Sequence, residues 1–336
     1  MTIVDLGAIH RQRSERERLA CLVDFARRAP SSHNTQPWRF HIRERRIEVW
    51  GDEGRTLPAS DTNQRQFFIS LGCALENLLV AADYYRLPVT VTLFPDRHSP
   101  FFAARLAFKH VDPAPRANVR HLAHAVASRH ANRHPYHDQA VPASFFAALR
   151  ALETPTLKLH IVQDAAGREA LTTVVGDATE AAFRDRGFTR ELSHWIKPSL
   201  RKYRDGMPGY NIGIPWPVSF IAPLAIRYLN VAKQQRKMIE EPLRATPAFI
   251  VISTKDDNPA AWVMAGRVLE RAWLMATDQG LKMAPFAAGI QIGDFYRDMQ
   301  RVLNTTFRPQ AFSRLGYADA IPPAAPRRRL EEIISV

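Results

Sequence analysis

The 336-residue sequence predicts an α+β fold in which one unit of helices and strands is used twice. Two long helical patterns, 66–85 and 260–279, align when set 194 residues apart: Gly72, Leu75, Glu76, Ala82 and Leu87 fall on Gly266, Leu269, Glu270, Ala276 and Leu281. A mid-helix glycine costs roughly 1 kcal/mol against alanine, so the paired Gly72 and Gly266 point to close backbone approach in both helices. The run Trp38, Arg39, Phe40, His41, Ile42 is echoed by Leu157, Lys158, Leu159, His160, Ile161, each following a helix. The length fits two ordinary domains or one domain doubled.

The elements follow in order. Ser14 caps a helix over 14–28 with Leu19, Leu22, Val23 and Ala26 on one face, and Pro30 ends it. Alternation in 39–42 and 47–50 reads as a hairpin turning at 44–46. The first long helix and a strand at 89–94 complete the first half, which Pro113, Pro115 and Asn118 close. The expected division is therefore 1–118 and 119–336. The second half holds a helix at 119–128, the segment Arg129-His130-Ala131-Asn132-Arg133-His134, a helix at 143–152 and a strand at 157–162. Residues 176–245 read as an insertion of mixed helical pieces, with Asp205-Gly206 and 210–216 either a packed surface loop or a cover over a site. A strand at 249–253, the second long helix, a strand to Tyr317 and a Pro-rich arm with Arg327, Arg328 and Arg329 finish the chain.

Composition narrows the function. Apolar residues make up 46% and charged residues 24%, so the chain is globular and a soluble protein is expected. The formal charge of +13 is carried largely by arginine, reflecting either an anionic partner or a coding bias. No zinc-finger spacing, aromatic RNA-binding signature or long basic tract accompanies it, so no nucleic-acid partner is expected. Cys21 and Cys73 fall inside helical patterns, as reduced core thiols of a cytoplasmic protein do. No signal peptide is read at the start, and the uncharged run 212–226 is broken by Pro215, Pro217 and Pro223, so no membrane partner is expected. Five histidines lie within 121–137, but Pro135 interrupts them and neither Cys nor HExxH is near, so no metal is expected. GxGxxG, GxxxxGK[ST] and GxSxG are all absent.

The most specific feature is the loop Pro30-Ser31-Ser32-His33-Asn34-Thr35-Gln36-Pro37-Trp38. It reads as a helix stop with turn-capping hydroxyls, or as a set of hydroxyls, amide and backbone N–H groups suited to the polar edge of a flavin. This loop resembles the PS-[ST]-x-N-x-Q-P-W loop of the nitroreductase family of FMN proteins. Arg129-His130-Ala131-Asn132-Arg133 is similar to that family's R-[RH]-S-x-[RK] segment, with Ala131 in place of the usual Ser. Gly280-Leu281 and Pro285 to Ala288 are similar to its GL…P strand, with Ala287 where an acidic residue often stands, and Arg327 to Arg329 to its basic C-terminal residues. The doubled arrangement with a large insertion resembles the Acg-like branch of fused twin nitroreductase-fold proteins.

The resemblance implies two tandem nitroreductase-like units forming an intramolecular pseudodimer, with a lid-like insertion in the second. It implies FMN held by Ser31, Ser32, Asn34, Arg129, His130, Arg133, Pro285, Ala288, Arg327 and Arg329, with no catalytic side chain because the flavin carries the chemistry. The implied activity is oxidoreductase: hydride transfer from NAD(P)H through FMN to a nitroaromatic, quinone or related acceptor. The alternative is an FMN-sequestering storage protein with a lidded site. A monomeric pseudodimer or weak homodimer is expected. One flavin per chain is also expected, because the loop occurs only in the first half and the arginine segment with its terminal partners only in the second; the first half's Arg13-Ser14-Glu15-Arg16 runs straight into a helix, and 152–156 joins helix to strand directly.

Overall fold

The computed structural model describes residues 6–12, 14–112, 120–319, 321 and 323–335. Pro113, Pro115 and Asn118, and with them the expected division at 118/119, lie outside the described residues. The architecture is α+β. In chain order the elements are α1 (Glu15–Ala26), β1 (Trp38–Arg43), β2 (Arg46–Gly51), α2 (Arg65–Tyr84), β3 (Val89–Leu93), β4 (Phe102–Phe108), α3 (Arg120–Ser128), α4 (Ala143–Arg150), β5 (Leu157–Val162), α5 (Ala165–Arg184) and α6 (Arg186–Trp195). The short β6 (Ile196–Lys197) and β7 (Met207–Pro208) follow, then α7 (Ala222–Tyr228), α8 (Ala232–Arg244), β8 (Ala248–Thr254), α9 (Pro259–Asp278), β9 (Lys282–Pro285), α10 (Ala288–Gln291), α11 (Phe295–Val302), β10 (Arg308–Gly316) and β11 (Ile334–Ser335).

Local chemistry explains the boundaries. Ser14 caps α1 through the Glu17 N–H while Glu17 reaches back to the Ser14 N–H, so two orphan donors are satisfied reciprocally. The helix stops at Ala26, four residues before Pro30. β1 and β2 pair antiparallel from Trp38↔Gly51 to Arg43↔Arg46, and the burial of β1 alternates as the hairpin reading expects. β4 was not foreseen. It is buried along most of its length, between β2 and β3, so it lacks the alternation that marks a half-exposed strand.

Two sheets result, ordered β11-β1-β2-β4-β3 and β5-β8-β10-β9. Between them α2 packs lengthwise on α9. A Cβ added at Gly72 would lie 2.1 Å from the Val263 carbonyl oxygen, and one at Gly266 would lie 2.1 Å from that of Ile69. Both glycines are therefore required by the helix contact, as their pairing in sequence suggested. α2 is long and apolar enough to cross a membrane, but its apolar window is 89% buried as the centre of this core. The equivalent carboxylates differ in partners: Glu76 on α2 pairs with Arg267 at 3.0 Å and Arg271 at 2.6 Å, whereas Glu270 on α9 pairs with Arg129.

The boundary expected at 176 needs correction. It falls in the middle of α5, which runs unbroken from 165 to 184. With α8, α10 and α11 this helix covers the outer face of the second sheet through Leu171, Val175, Leu243, Ile290 and Met299, packed on Phe249, Val251 and Phe312. β8 is consequently buried on both faces, with Ile250 and Ile252 turned to the central core and Phe249 and Val251 to the outer one. The less regular part of the segment is 196–231, in which α7 is the one α-helix.

Candidate functional site

The loop after α1 turns back on itself. Ser31 Oγ accepts the Gln36 N–H at 2.9 Å, and Ser32–Asn34 form a single 3-10 turn. His33, Asn34 and Gln36 all have left-handed φ, at 51°, 54° and 52°. Such angles cost non-glycine residues on the order of 1 kcal/mol or more each and persist only where surrounding contacts over-determine them. Those contacts come from far along the chain. Asn34 Nδ2 donates to the carbonyls of Gly206 and Pro326, both at 3.0 Å, while its Oδ1 accepts from Arg327 at 3.0 Å. Gln36 Nε2 donates to the Arg204 carbonyl at 2.8 Å, and its Oε1 accepts the Arg328 N–H at 2.8 Å. Arg55 donates to the Thr35 carbonyl at 2.7 Å.

The 129–133 segment is attached from the other side. Asn132 N–H donates to the Met283 carbonyl of β9 at 3.0 Å, and Arg314 donates to the Asn132 and His134 carbonyls. Arg129 is buried: it lies 3.0 Å from Glu270, stacks 4.5 Å from the Trp273 ring centroid and donates to the Arg28 carbonyl at 2.8 Å. Arg327 donates to that same carbonyl at 3.1 Å and to Ala29 at 3.3 Å. The two arginines therefore converge on the start of the loop. Burial, and next the charge of Arg129, bring the Arg327 guanidinium down to about 9. Burial outweighs both the charge of Arg129 and the nearby Asn77 side chain and pushes the Glu270 carboxyl up to about 7. Among the described residues, the carboxylates Asp24 and Glu270 stand against Arg27, Arg129 and Arg327 here, and Arg327 Nε is buried with no hydrogen-bond partner.

Arg133 is different. Its side chain is open to solvent and has no hydrogen-bonding or ion-pair partner among the described residues, yet surrounding protein, and next Arg314, depress its pKa. It faces the loop: burial and then the Arg133 charge hold His33 down to about 4. Ser32 Oγ likewise makes no hydrogen bond among the described residues.

The expected residues thus fall into two groups. Ser31, Ser32, Asn34, Arg129 and Arg327 surround the loop and its entry, Arg133 faces it across His33, and His130 sits beside Arg129 and Lys282, with burial first and those charges next depressing its pKa. Pro285 ends β9 opposite Ser313, and Ala288 opens α10. Two roles need correction. Both Asn34 donors are engaged in clamping the loop, so the amide positions the backbone instead of offering a free donor. Arg329 is exposed and lies 3.6 Å from Glu331, because the chain turns into a 3-10 helix there and carries its side chain outward. Arg328 instead points inward, to the Gln36 and Glu332 carbonyls. Gln36, Arg328 and Glu270 were missed; Gln36 stood in the loop motif, and Glu270 was visible only as the repeat partner of Glu76. Ser14 in the first half is spent as a helix cap, and Thr154 and Leu157 close a tight turn where the second half lacks the loop. Arg13 lies outside the described residues.

Two surface recesses lie elsewhere. One of about 420 Å³ behind the loop is lined by Arg39, Arg55, Trp195 and Lys197, and one of about 690 Å³ lies along β5 and α5. Neither is lined by Ser32 or Arg133.

No protein-family model matches the chain. Among curated proteins it is 27% identical over 330 residues to a putative NAD(P)H nitroreductase of Mycobacterium tuberculosis, spanning 95% of this chain and 91% of that one. It is 25% identical over 318 residues to the putative NAD(P)H nitroreductase acg of the same species, spanning 94% of each. The chain is thus similar along nearly its whole length to proteins named putative NAD(P)H nitroreductase, acg among them. A solved FMN- and NADPH-dependent nitroreductase, NfnB from a Sphigopyxis species, is 17% identical with a TM-score of 0.44, covering 64% of this chain and 98% of that one.

Proposed function

We propose that this nitroreductase-like chain is an FMN-dependent NAD(P)H oxidoreductase with one flavin site, formed where the 31–36 loop meets the 129–133 segment and the C-terminal arm. The single observation that carries the reading is the cationic surplus around this loop: Arg129 and Arg327 converge on the Arg28 carbonyl just before it, and among the described residues Arg327 Nε is unsatisfied and Arg133 stands unpaired opposite His33. A partly desolvated surplus of guanidinium groups favours an anion joining them, and a phosphate monoester matches their donors. The residues present therefore fit FMN.

Arg133 and Arg327 would hold the phosphate, Ser32 Oγ a ribityl or ring-edge atom, and Pro285 to Ala288 the ring side. Arg129 acts indirectly, by fixing the Arg28 carbonyl and the loop entry. When bound, FMN supplies hydride acceptance from NAD(P)H and electron delivery to an acceptor such as a nitroaromatic or quinone. The chain's own part is to bind and orient, since no side chain here is placed as an obligatory acid or base. The two α+β halves, 1–118 and 119–336, act as an intramolecular pseudodimer, a reading supported by the 194-residue repeat and the mutual glycine contact of α2 and α9. Residues 196–231 act as the lid; the bonds from Asn34 to Gly206 and from Gln36 to Arg204 support this.

Purified chain mixed with FMN, then exposed anaerobically to NADH or NADPH, tests the reading. Flavin binding followed by rapid bleaching is expected. Binding with prolonged indifference to both donors would favour the storage alternative, and no binding would remove the proposal.

A further inference from the structure

Residues 216–229 reverse the ordinary partition of side chains. Ser219 and Ala222 face inward and are buried, whereas Trp216, Phe220, Ile221, Leu224, Tyr228 and Leu229 point outward with 42–62% of their surface exposed. Their arrangement is fixed from within: Ser219 Oγ accepts the Ser199 N–H at 2.9 Å and donates to the Trp216 carbonyl at 2.6 Å, and Trp216 meets Phe220 edge-on at 5.1 Å. A patch of this kind on a folded surface marks contact with another apolar phase.

The surrounding charge identifies that phase. Between 197 and 238 the chain has eight Lys and Arg, at 197, 201, 202, 204, 227, 233, 236 and 237, and one acidic residue, Asp205. Arg204 pairs with Glu332, and Arg236 with Asp177, Glu180 and Glu240. Arg201, Lys202, Arg227, Lys233 and Lys237 are exposed and form no ion pair among the described residues. The Ser199–Ser219 bond brings the chain bearing Arg201 and Lys202 against the apolar segment, and Arg227 lies over Tyr228 at 5.3 Å.

From this geometry we infer that 216–229 is a docking surface for an anionic lipid bilayer, on which the protein lies without spanning it. Large apolar side chains enter the acyl boundary, Trp216 and Tyr228 sit at headgroup depth, and Arg201, Lys202 and Arg227 beside them meet lipid phosphates. A second copy of the chain is the poorer occupant, because a two-fold contact would set these cations against their own copies. Pro215, Pro217 and Pro223 exclude a spanning helix but not a segment lying in the interface, which is why the hydropathy reading expected no membrane partner. The inference does not depend on the flavin.

The test is flotation of the full chain with vesicles of phosphatidylcholine alone or with about 30 mol% phosphatidylglycerol, at low and raised salt. Binding to the anionic vesicles, weakened by salt, is expected. Trp216→Ser, Ile221→Ser and Leu224→Ser together should weaken it by about tenfold or more. Circular dichroism and the thermal midpoint check that the variant is folded. A second readout uses otherwise intact protein: lipids brominated in the acyl chain should quench tryptophan emission in the wild type, and less in Trp216→Phe. No association with either vesicle, quenching unchanged by Trp216→Phe, or self-association abolished by the triple substitution without vesicle binding would each overturn the inference.

Discussion

Replacing Arg129 and Arg133 separately by alanine distinguishes two jobs within one five-residue segment. The Arg129 and Glu270 side chains are 2% and 0% exposed and lie 3.0 Å apart, so Arg129→Ala strands a buried carboxylate. Breaking such a pair from one side costs about 3–5 kcal/mol. For a chain of 336 residues, with unfolding entropy near 2.1 cal/mol/K per residue, the loss lowers the melting midpoint by roughly 4–7 °C. The pH dependence follows from the sign of the shift. Glu270 titrates near 7 in the folded protein against an ordinary 4.5, so folding binds the proton and stability falls as pH rises from about 4.5 through 7. Without Arg129 that shift grows, so the deficit is greatest above pH 7 and smallest near pH 5. Arg133→Ala removes an open, unpaired guanidinium and leaves the melting midpoint nearly unchanged. On the proposed placement it should remove instead a charge-assisted phosphate contact worth about 1.5–3 kcal/mol, weakening FMN by about 10- to 150-fold. Urea and thermal unfolding at pH 5 and 8, with fluorescence titration of FMN, measure both effects. If Arg133→Ala destabilises the fold as much as Arg129→Ala, or retains wild-type FMN affinity, the assigned division of labour is wrong.

Three further outcomes are expected. Gly72→Ala should cost about 3 kcal/mol, because its methyl meets rigid α9 backbone at Val263, and an unshifted denaturation midpoint would contradict the helix contact. His33 should remain neutral to about pH 4, so its contribution to stability is present above its ordinary 6.5 and lost as pH falls from there towards 4; His33→Asn should flatten that acid limb, and NMR titration near 6.5 would refute the desolvated placement facing Arg133. Flavin released by denaturation should approach one per chain, and a ratio near two would show a second complete site.

What the sequence disclosed follows local chemistry. The Ser14 capping box, the alternating β1–β2 hairpin and the paired glycines each depend on residues near one another or on a simple repeat. β4 was hidden because its burial removes the alternation that announces a strand. α5 was divided at 176 because its Gly, Thr and Ala content gives a weak helical face, and most of the surface it covers, on α8, β8 and β10, comes from far along the chain. At the site, sequence brought forward the residues of the two motifs but could not apportion them. Whether an arginine is free or spent depends on partners such as Glu270, which lies 141 positions after Arg129, and the Arg28 carbonyl, which has no side-chain signature at all.

The C-terminal arm explains why the loop needs both ends of the chain. After β10 leaves the second sheet, the arm crosses to the first and ends as β11, parallel to β1 with Phe40 opposite Ile334. On the way Pro326 and Arg327 bind Asn34, Arg328 binds Gln36, and Glu332 meets Arg204. The left-handed residues of the loop are therefore held by an arm that is itself anchored as a strand on the adjoining β1. A loop with three strained residues in four positions would relax if either anchor were absent. Around the second sheet the described residues hold no such loop, since Thr154 and Leu157 close a tight turn before β5, so the proposed site rests on a feature found beside the first sheet.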